Sequence, residues 1–346
     1  REPFCGDSEK QYRTYCHPKY YHGLPNVLYR NRGDGTFTDV SSQVRISELR
    51  GKGMGVAIAD YDGDGWMDIF VANDAVPDFL FRNEGGRQFR EVAAEAGVAF
   101  NDDGRALSSM GVDFSDVDGD GKPDLFVTAL ANETFPLFRN IGGGFFEDVT
   151  YRTGIGRHTM RSSGWGTGAY DWNNDGHRDL FAAAGDVQDN TEVYSSGLSK
   201  QPNFVLMNGG AGGFERIETP GGPALHRGAA FGDLDNDGRI DIVVSRLNAA
   251  PLLLRNESEA ANWVGFALQG RGNRSVIGAE VRVTDSSGRR QWNHLTTSVG
   301  YASSSDPRVH FGLGQSEPVE VEIRWPGGRV QKLDQVKLRR YIAVEE

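Results

Sequence analysis

Apolar residues in this 346-residue chain come in short blocks, separated by stretches rich in Gly, Asp and Asn. Gly55-Val-Ala-Ile-Ala59 is one block, Asp68-Ile-Phe-Val71 the next, and Leu125-Phe-Val127 repeats the second. They are too short for helices and continuous rather than alternating, which suits strands buried on both faces. A further element, Leu28-Tyr-Arg-Asn31, returns as Leu80-Phe-Arg-Asn83, Leu137-Phe-Arg-Asn140 and Leu253-Leu-Arg-Asn256. Behind it comes Gly35-Thr-Phe-Thr-Asp-Val40, then Arg87-Gln-Phe-Arg-Glu-Val92 and Gly144-Phe-Phe-Glu-Asp-Val149, with a looser copy at Gly213-Phe-Glu-Arg-Ile217. Gly- and Asn-rich turns between the elements are what hairpins require. The first complete unit therefore predicts four strands, near 54–59, 67–72, 78–82 and 88–92. Four antiparallel strands per unit, repeated every 55 to 62 residues, predict β-propeller blades in an all-β chain.

The polar stretch between the first two strands of each unit is itself a motif, Asp-x-Asp/Asn-x-Asp-Gly-x-x-Asp. It supplies Asp60, Asp62, Asp64 and Asp68; Asp116, Asp118, Asp120 and Asp124; Asp171, Asn173, Asp175 and Asp179; and Asp233, Asp235, Asp237 and Asp241. Oxygen-only donors at positions 1, 3, 5 and 9 are the chemistry of Ca²⁺, a hard cation with six to eight ligands. Position 7 is Trp66, Lys122, His177 or Arg239, so only its backbone carbonyl is expected to bind. Gly at position 6 and Gly or Asn at position 4 fit a chain that must turn through positive φ around an ion. An EF-hand would need Glu at position 12, where Val71, Val127, Ala182 and Val244 stand, and helices on either side. An Asp/Gly turn that binds nothing is the other reading of any single copy. Four copies in phase argue for about four structural Ca²⁺ ions, since clustered carboxylates repel without a cation.

The formal charge of -11 changes meaning once the loops are counted, because much of it is ligand charge. Arg289-Arg290 and Arg339-Arg340 are isolated pairs, and no basic patch for nucleic acid is expected. No apolar run is long enough to span a membrane as a helix. The two cysteines, Cys5 and Cys16, have ten residues between them and are expected to form a local disulfide, which points to an exported protein. A metal site with His17 and His22 is the weaker alternative. The chain starts at Arg1 with no leader-like segment, so removal of a leader or of N-terminal sequence is expected.

The loops, the Leu-x-Arg-Asn element and the final strand, in that order, resemble FG-GAP/VCBS repeats over about residues 24–260. The resemblance implies integrin-α-type propeller blades with calcium in the loops. After Asn256 the pattern changes. Ile277-Gly-Ala279, Gly300-Tyr-Ala-Ser-Ser-Ser-Asp306, His310-Phe-Gly-Leu-Gly314 and Arg324-Trp-Pro-Gly327 are similar to the ASPIC/UnbV domain that follows such repeats in bacterial relatives of cartilage acidic protein. The expected organisation is an N-terminal segment at 1–23, a partial blade at 24–46, four complete blades at 51–100, 104–155, 158–217 and 224–260, and a small β-sandwich-like domain at 261–346. The family's usual count of about seven blades implies that further blades, or another chain, complete the propeller.

Catalytic motifs are missing: there is no G-x-S-x-G and no H-E-x-x-H. His226-Arg227 is read as a structural pair rather than a pocket, His294 and His310 as structural, His177 as exposed, and Ser303-Ser-Ser305 as a polar turn. Asn73-Asp74, Asn101-Asp-Asp103, Asn132-Glu133, Asp186 and Asp189-Asn190 are candidates to line one rim, with the insertion 184–203 among them. The expected function is binding or scaffolding for a protein or cell-surface glycan, outside the cell, on its surface or in a periplasm. The competing readings are an enzyme built on the loop face, or a subunit of a larger surface assembly.

Overall fold

A computed structural model describes residues 4–272 and 274–346. Three four-stranded antiparallel sheets follow in chain order: Gly53–Ala59, Asp68–Asn73, Phe79–Asn83 and Phe89–Glu91; Val112–Ser115, Asp124–Val127, Leu137–Gly142 and Phe145–Asp148; Gly164–Tyr170, Asp179–Ala184, Phe204–Asn208 and Phe214–Glu218. The observed strands fall within about two residues of those expected for the first unit. The fourth repeat departs from the four complete blades expected. It has three strands, His226–Gly232, Asp241–Arg246 and Leu252–Leu254, because the chain after Asn256 leaves for the C-terminal domain. Ahead of the first sheet, the partial repeat forms a hairpin, Tyr29–Asn31 with Phe37–Asp39.

Every residue of Asp68–Asn73 and Asp179–Ala184 is buried, as their continuous apolar runs predict. The reason is that the core lies between neighbouring sheets. Phe70 and Leu80 pack with Phe114, Leu125 and Phe138; Phe126 and Phe135 with Leu180 and Phe204; Phe181 with Phe231 and Ile242. Val40, Val44 and Ile46 of the partial repeat cover Ile69, Val71 and Phe81. Each layer belongs to two repeats. Truncating Phe126, 1% exposed, to Ala would therefore loosen two blades and cost about 3–5 kcal/mol.

The C-terminal domain has two facing sheets. In one, Asn262–Gln269 lies between Val309–Gly314 (antiparallel) and Tyr341–Glu345 (parallel). In the other, Glu280–Asp285 lies between Arg290–His294 and Pro318–Arg324, with Val330–Leu333 at the edge. Alternation along Glu280–Asp285 puts Val281 and Val283 into a core with Phe266, Phe311 and Trp325, and turns Glu280 and Arg282 away from it.

The first strands of the four repeats lie side by side. At Gly111 a Cβ would fall 2.0 Å from the carbonyl oxygen of Trp165, so only glycine allows this approach. Across these strands runs the C-terminal domain's segment 298–306. Ser298 Oγ donates to Val56 O at 2.8 Å, and Gly300 N to Val112 O at 2.8 Å. Gly300, at φ 78°, sits against the Thr167 backbone, where a Cβ would fall 2.6 Å from its oxygen. Asp306 N donates to Phe231 O at 2.9 Å. One segment thus touches all four repeats. The run Ser303-Ser-Ser305, expected to be only a polar turn, belongs to it: Ser305 Oγ accepts from Phe231 N at 3.2 Å.

Candidate metal centres

Each acidic loop begins where a first strand ends and closes where a second begins, at Asp68, Asp124, Asp179 and Asp241. Position 6 has φ of 91°, 87°, 91° and 86° at Gly65, Gly121, Gly176 and Gly238; position 4 has 77°, 77°, 57° and 62° at Gly63, Gly119, Asn174 and Asn236. Both expectations hold. The turn brings the position 6 amide onto the position 1 carboxylate: Gly65 N donates to Asp60 Oδ2 at 2.8 Å and Gly238 N to Asp233 Oδ2 at 2.7 Å. The second oxygen of Asp60 is buried and accepts nothing.

Positions 1, 3 and 9 converge. Oxygens of Asp60, Asp62 and Asp68 lie within 4.8 Å of one another, as do those of Asp116, Asp118 and Asp124, and of Asp233, Asp235 and Asp241. The third loop has Asn173 at position 3, whose Nδ2 donates to Asp175 Oδ2 at 2.9 Å. Position 5 stands apart from the three carboxylate triplets. Asp120 is ion-paired with Lys122 and Asp237 with Arg239, while Asp64 and Asp175 accept from the amides of Trp66 (2.9 Å) and His177 (2.8 Å). The long side chains at position 7 of the second and fourth loops thus act as counter-charges, a role that expecting only a carbonyl there had overlooked. His177 is half-buried against Gly210 rather than exposed.

Burial, first, and neighbouring carboxylates push these acids up: Asp68 and Asp179 to about 8, Asp116 and Asp171 to about 7. Asp124 goes the same way for the same causes. Asp237 goes the other way, lowered chiefly by its hydrogen bond from Arg239. Buried like charges with oxygen-only donors and an orphaned oxygen on Asp60 fit a hard divalent cation.

The position 9 carboxylate is spent on backbone amides. Asp68 accepts from Tyr61 N (3.2 Å) and Asn83 N (2.7 Å); the Asn140, Asn208 and Asn256 amides meet Asp124, Asp179 and Asp241, each at 2.8 Å. Three of these asparagines also reach into the preceding loop. Asn140 Nδ2 donates to Tyr61 O at 2.8 Å, Asn208 Nδ2 to Val117 O at 3.2 Å, and Asn256 Nδ2 to Trp172 O at 2.8 Å. The last residue of the Leu-x-Arg-Asn element is therefore a tie between loops, a role its recurrence did not reveal. Asn208 does not show in the recurrence, because the insertion stretches its repeat and Met207 replaces Arg; the Asn-Gly-Gly turn at 208–210 is its signal in the sequence.

All four loops lie against the C-terminal domain. Arg289 Nη1 donates to Asp175 O at 2.6 Å, Gly314 N to Asn174 O at 2.7 Å, and Arg308 Nη2 to Asp233 O at 2.6 Å; His310 Nε2 is 3.0 Å from Gly238 O. Asp120 and Gly121 line a cleft with Arg282 and Arg290, and Asp60 and Gly65 line another with Glu280 and Arg324.

The other end of the first strands has acids of its own, Asp78 buried and Asp74 and Glu133 half-buried, raised chiefly by burial. His226 is fully buried, its Nδ1 2.9 Å from Ala184 O and its Nε2 without a hydrogen-bond partner, and the Arg227 guanidinium lies 4.0 Å over the Trp165 ring. His294 and His310 are buried too, and burial lowers them to about 4 and about 3. Cys5 and Cys16 form a disulfide. The loop it closes and the residues just after it are held at this end: Tyr15 N donates to Gln188 Oε1 (2.6 Å), Asn190 Nδ2 to Arg13 O (2.7 Å), and Lys52 Nζ to Pro18 O (2.8 Å). The insertion 184–203 thus anchors the N-terminal loop. Among the other rim candidates, Asn73 is buried, and Glu133 accepts from Ser108 N at 2.9 Å.

The family described as FG-GAP-like repeat matches four overlapping stretches, residues 20–71, 60–127, 116–182 and 171–244, and the family described as ASPIC and UnbV matches residues 269–346. Cartilage acidic protein 1 of Homo sapiens is 27% identical over 317 residues, covering 88% of this chain and 45% of the relative. The Xenopus tropicalis protein of that name is 26% identical over 313 residues, covering 88% and 38%. The chain therefore spans less than half the length of these relatives. Among solved structures, an Agrocybe aegerita lectin specific for non-reducing terminal N-acetylglucosamine aligns at 17% identity and TM-score 0.34, over 68% of this chain and 75% of that one. The V. cholerae biofilm matrix protein Bap1 aligns at 12% and 0.33, over 91% and 62%. Neither likeness is close enough to carry an argument about ligands. Among the described residues, no helix is long and apolar enough to cross a membrane.

Proposed function

We propose, for a chain that belongs to the FG-GAP-like repeat family and carries an ASPIC and UnbV domain, an exported binding and scaffold module stiffened by calcium. The observation that carries this reading is the set of four acidic loops lying against one partner domain. In three of them the carboxylates of positions 1, 3 and 9 converge on one point, and in the first and second burial and like charge raise those acids. Calcium at positions 1, 3 and 9, with position 5 and the position 7 carbonyl completing the shell, turns each loop from a repulsive cluster into a rigid hairpin. The ion's work here is structural. The disulfide supports a location outside the cytoplasm, at the cell surface, in the medium or in a periplasm.

With the loops under the C-terminal domain, the surface left for a protein or glycan partner includes the opposite end of the blades. There the N-terminal segment presents Tyr15 of the disulfide-closed loop and, just beyond it, Tyr20 and Tyr21, all exposed. Exposed aromatic faces suit the apolar side of a sugar ring or a partner's side chain. Calorimetric titration is expected to find about four calcium ions per chain. A glycan array probed with the loaded chain tests the partner class. Binding lost in Tyr20→Ala/Tyr21→Ala supports the assignment. Turnover of a bound glycan would replace the binding module by an enzyme.

A further inference from the structure

The first loop differs from the others in what the C-terminal domain sets against it. The third and fourth loops present backbone carbonyls to Arg289 and Arg308, and the second lies by Arg282 and Arg290. The first faces Arg324 and also a carboxylate, Glu280, across a cleft of about 590 Å³ shared with Asp60, Asp64, Gly65 and Met67.

Glu280 is 7% exposed, and its Oε2 makes no hydrogen bond; the nearest cation is Arg282, whose Nη2 is 3.5 Å away. Asp60, 6% exposed, has its Oδ1 in the same condition. Two buried carboxylates with unmet lone pairs, brought to one cleft from two domains, are unfavourable unless something positive joins them. The charge of Glu280 is among the influences that raise Asp60, behind burial. Glu280 lines the cleft with Asp60 but is not one of the acids whose oxygens lie within 4.8 Å of one another, so it is not placed as a direct ligand beside Asp60, Asp62 and Asp68. At that remove a carboxylate acts on an ion by accepting hydrogen bonds from its bound water, which orients the water and makes it a better donor to the metal.

We propose that Glu280 is the outer carboxylate of the first loop's calcium site, holding a water of the ion's shell, so that this ion is gripped by both domains at once. The inference rests on the calcium reading above. It makes Glu280 a positioning residue and makes the first loop's affinity sense, through a side chain, whether the C-terminal domain is docked.

The test uses Tb³⁺, which takes oxygen-rich calcium sites and luminesces when a nearby indole is excited. Trp66 reports the first loop; Trp172 lies in the third, Trp263 against the fourth loop's Gly238 and Trp325 by the first loop's cleft, so the first-loop signal is taken as the difference between wild type and Trp66→Phe. Glu280→Gln is expected to weaken the first loop for Tb³⁺, and for Ca²⁺ by competition, tenfold or more, with the remaining signal unchanged. Arg282→Gln, which removes the competing cation, should leave that affinity equal or tighter. Equal first-loop affinity in wild type and Glu280→Gln overturns the proposal, and so does an equal loss in Arg282→Gln, which would assign the effect to the ion pair. If Glu280→Gln does not fold, Glu280→Asp decides by the same comparison. Calcium binding at the other loops, with the first indifferent to residue 280, would sink this inference and leave the calcium reading standing. No binding in wild type would remove both.

Discussion

The first and fourth loops share a backbone and differ in what neutralises them. Both turn through positive φ at positions 4 and 6, and both gather positions 1, 3 and 9. In the fourth, Arg239 takes Asp237, with Nε at 3.0 Å, and Arg255 takes Asp235 at 2.7 Å, so the protein supplies part of the counter-charge itself. In the first, position 7 is Trp66, Asp68 is pushed up to about 8, and the acid across the interface adds to the repulsion. The motif specifies the geometry of a site. How badly the site needs an ion is set by residues the motif leaves free.

Removing the ion should have the largest effect. Chelation is expected to lower the melting temperature by roughly 10 °C or more, since several ions that bind only the folded chain are lost together. An unchanged calorimetric scan in EGTA would mean the loops are not occupied structural sites. Next, Asp68→Ala should cost about 3 kcal/mol in calcium, because it frees two amides as well as weakening the ion. Asp237→Ala should cost about 1 kcal/mol, its ion pair with Arg239 being partly exposed. Urea titrations giving equal losses would erase the contrast between the loops.

The pH response of the chelated chain should separate them further. Asp68, Asp116 and Asp179 have folded values near 7 to 8, against 3.8 in the unfolded chain. Between those values the folded state holds more protons, so stability falls as pH rises from about 4 to 8. Asp237 has the opposite sign: its lowered folded value gives stability that is present above 3.8 and lost as pH falls below it. Calcium should abolish the first slope. A chelated chain whose melting temperature climbs from pH 4 to 8 would contradict the assigned burial of the first three loops. A last effect concerns the ties. Asn140→Ala should cost about 1–2 kcal/mol more than Asn83→Ala, because Asn140 also holds the preceding loop through Tyr61 O. Equal costs would show that the loops are energetically separate.

The parts legible in the sequence are those set by local chemistry. Gly65 and Asn174 announce positive φ because few residues tolerate it, and Asp68-Ile-Phe-Val71 announces a strand buried on both faces. Asn83 and Asn140 look alike in sequence, yet only Asn140 has a loop before it to hold; that difference is tertiary. The position 7 ion pairs were available to local reasoning, since Lys122 and Arg239 each stand two residues beyond an acid. The docking of the C-terminal domain on the loops was not. Glu280 and Arg308 are ordinary strand and turn residues until folding brings them to Asp60 and Asp233. The fourth strand missing from the fourth repeat is a similar case, settled by where the chain goes next.

The segment that crosses the first strands has a consequence for how the chain is made. Ser298 and Val56, which it joins, are 242 residues apart. The first repeat emerges from the ribosome and pairs its own strands long before that partner exists, leaving the carbonyl of Val56 and its neighbours facing outward. Contacts of such separation form last and slowly. Unfinished chains therefore wait with an open inner edge, a template for pairing with other chains. A secretion route that carries the polypeptide unfolded across a membrane, then releases it into calcium, would present the loops, the ion and the late segment together.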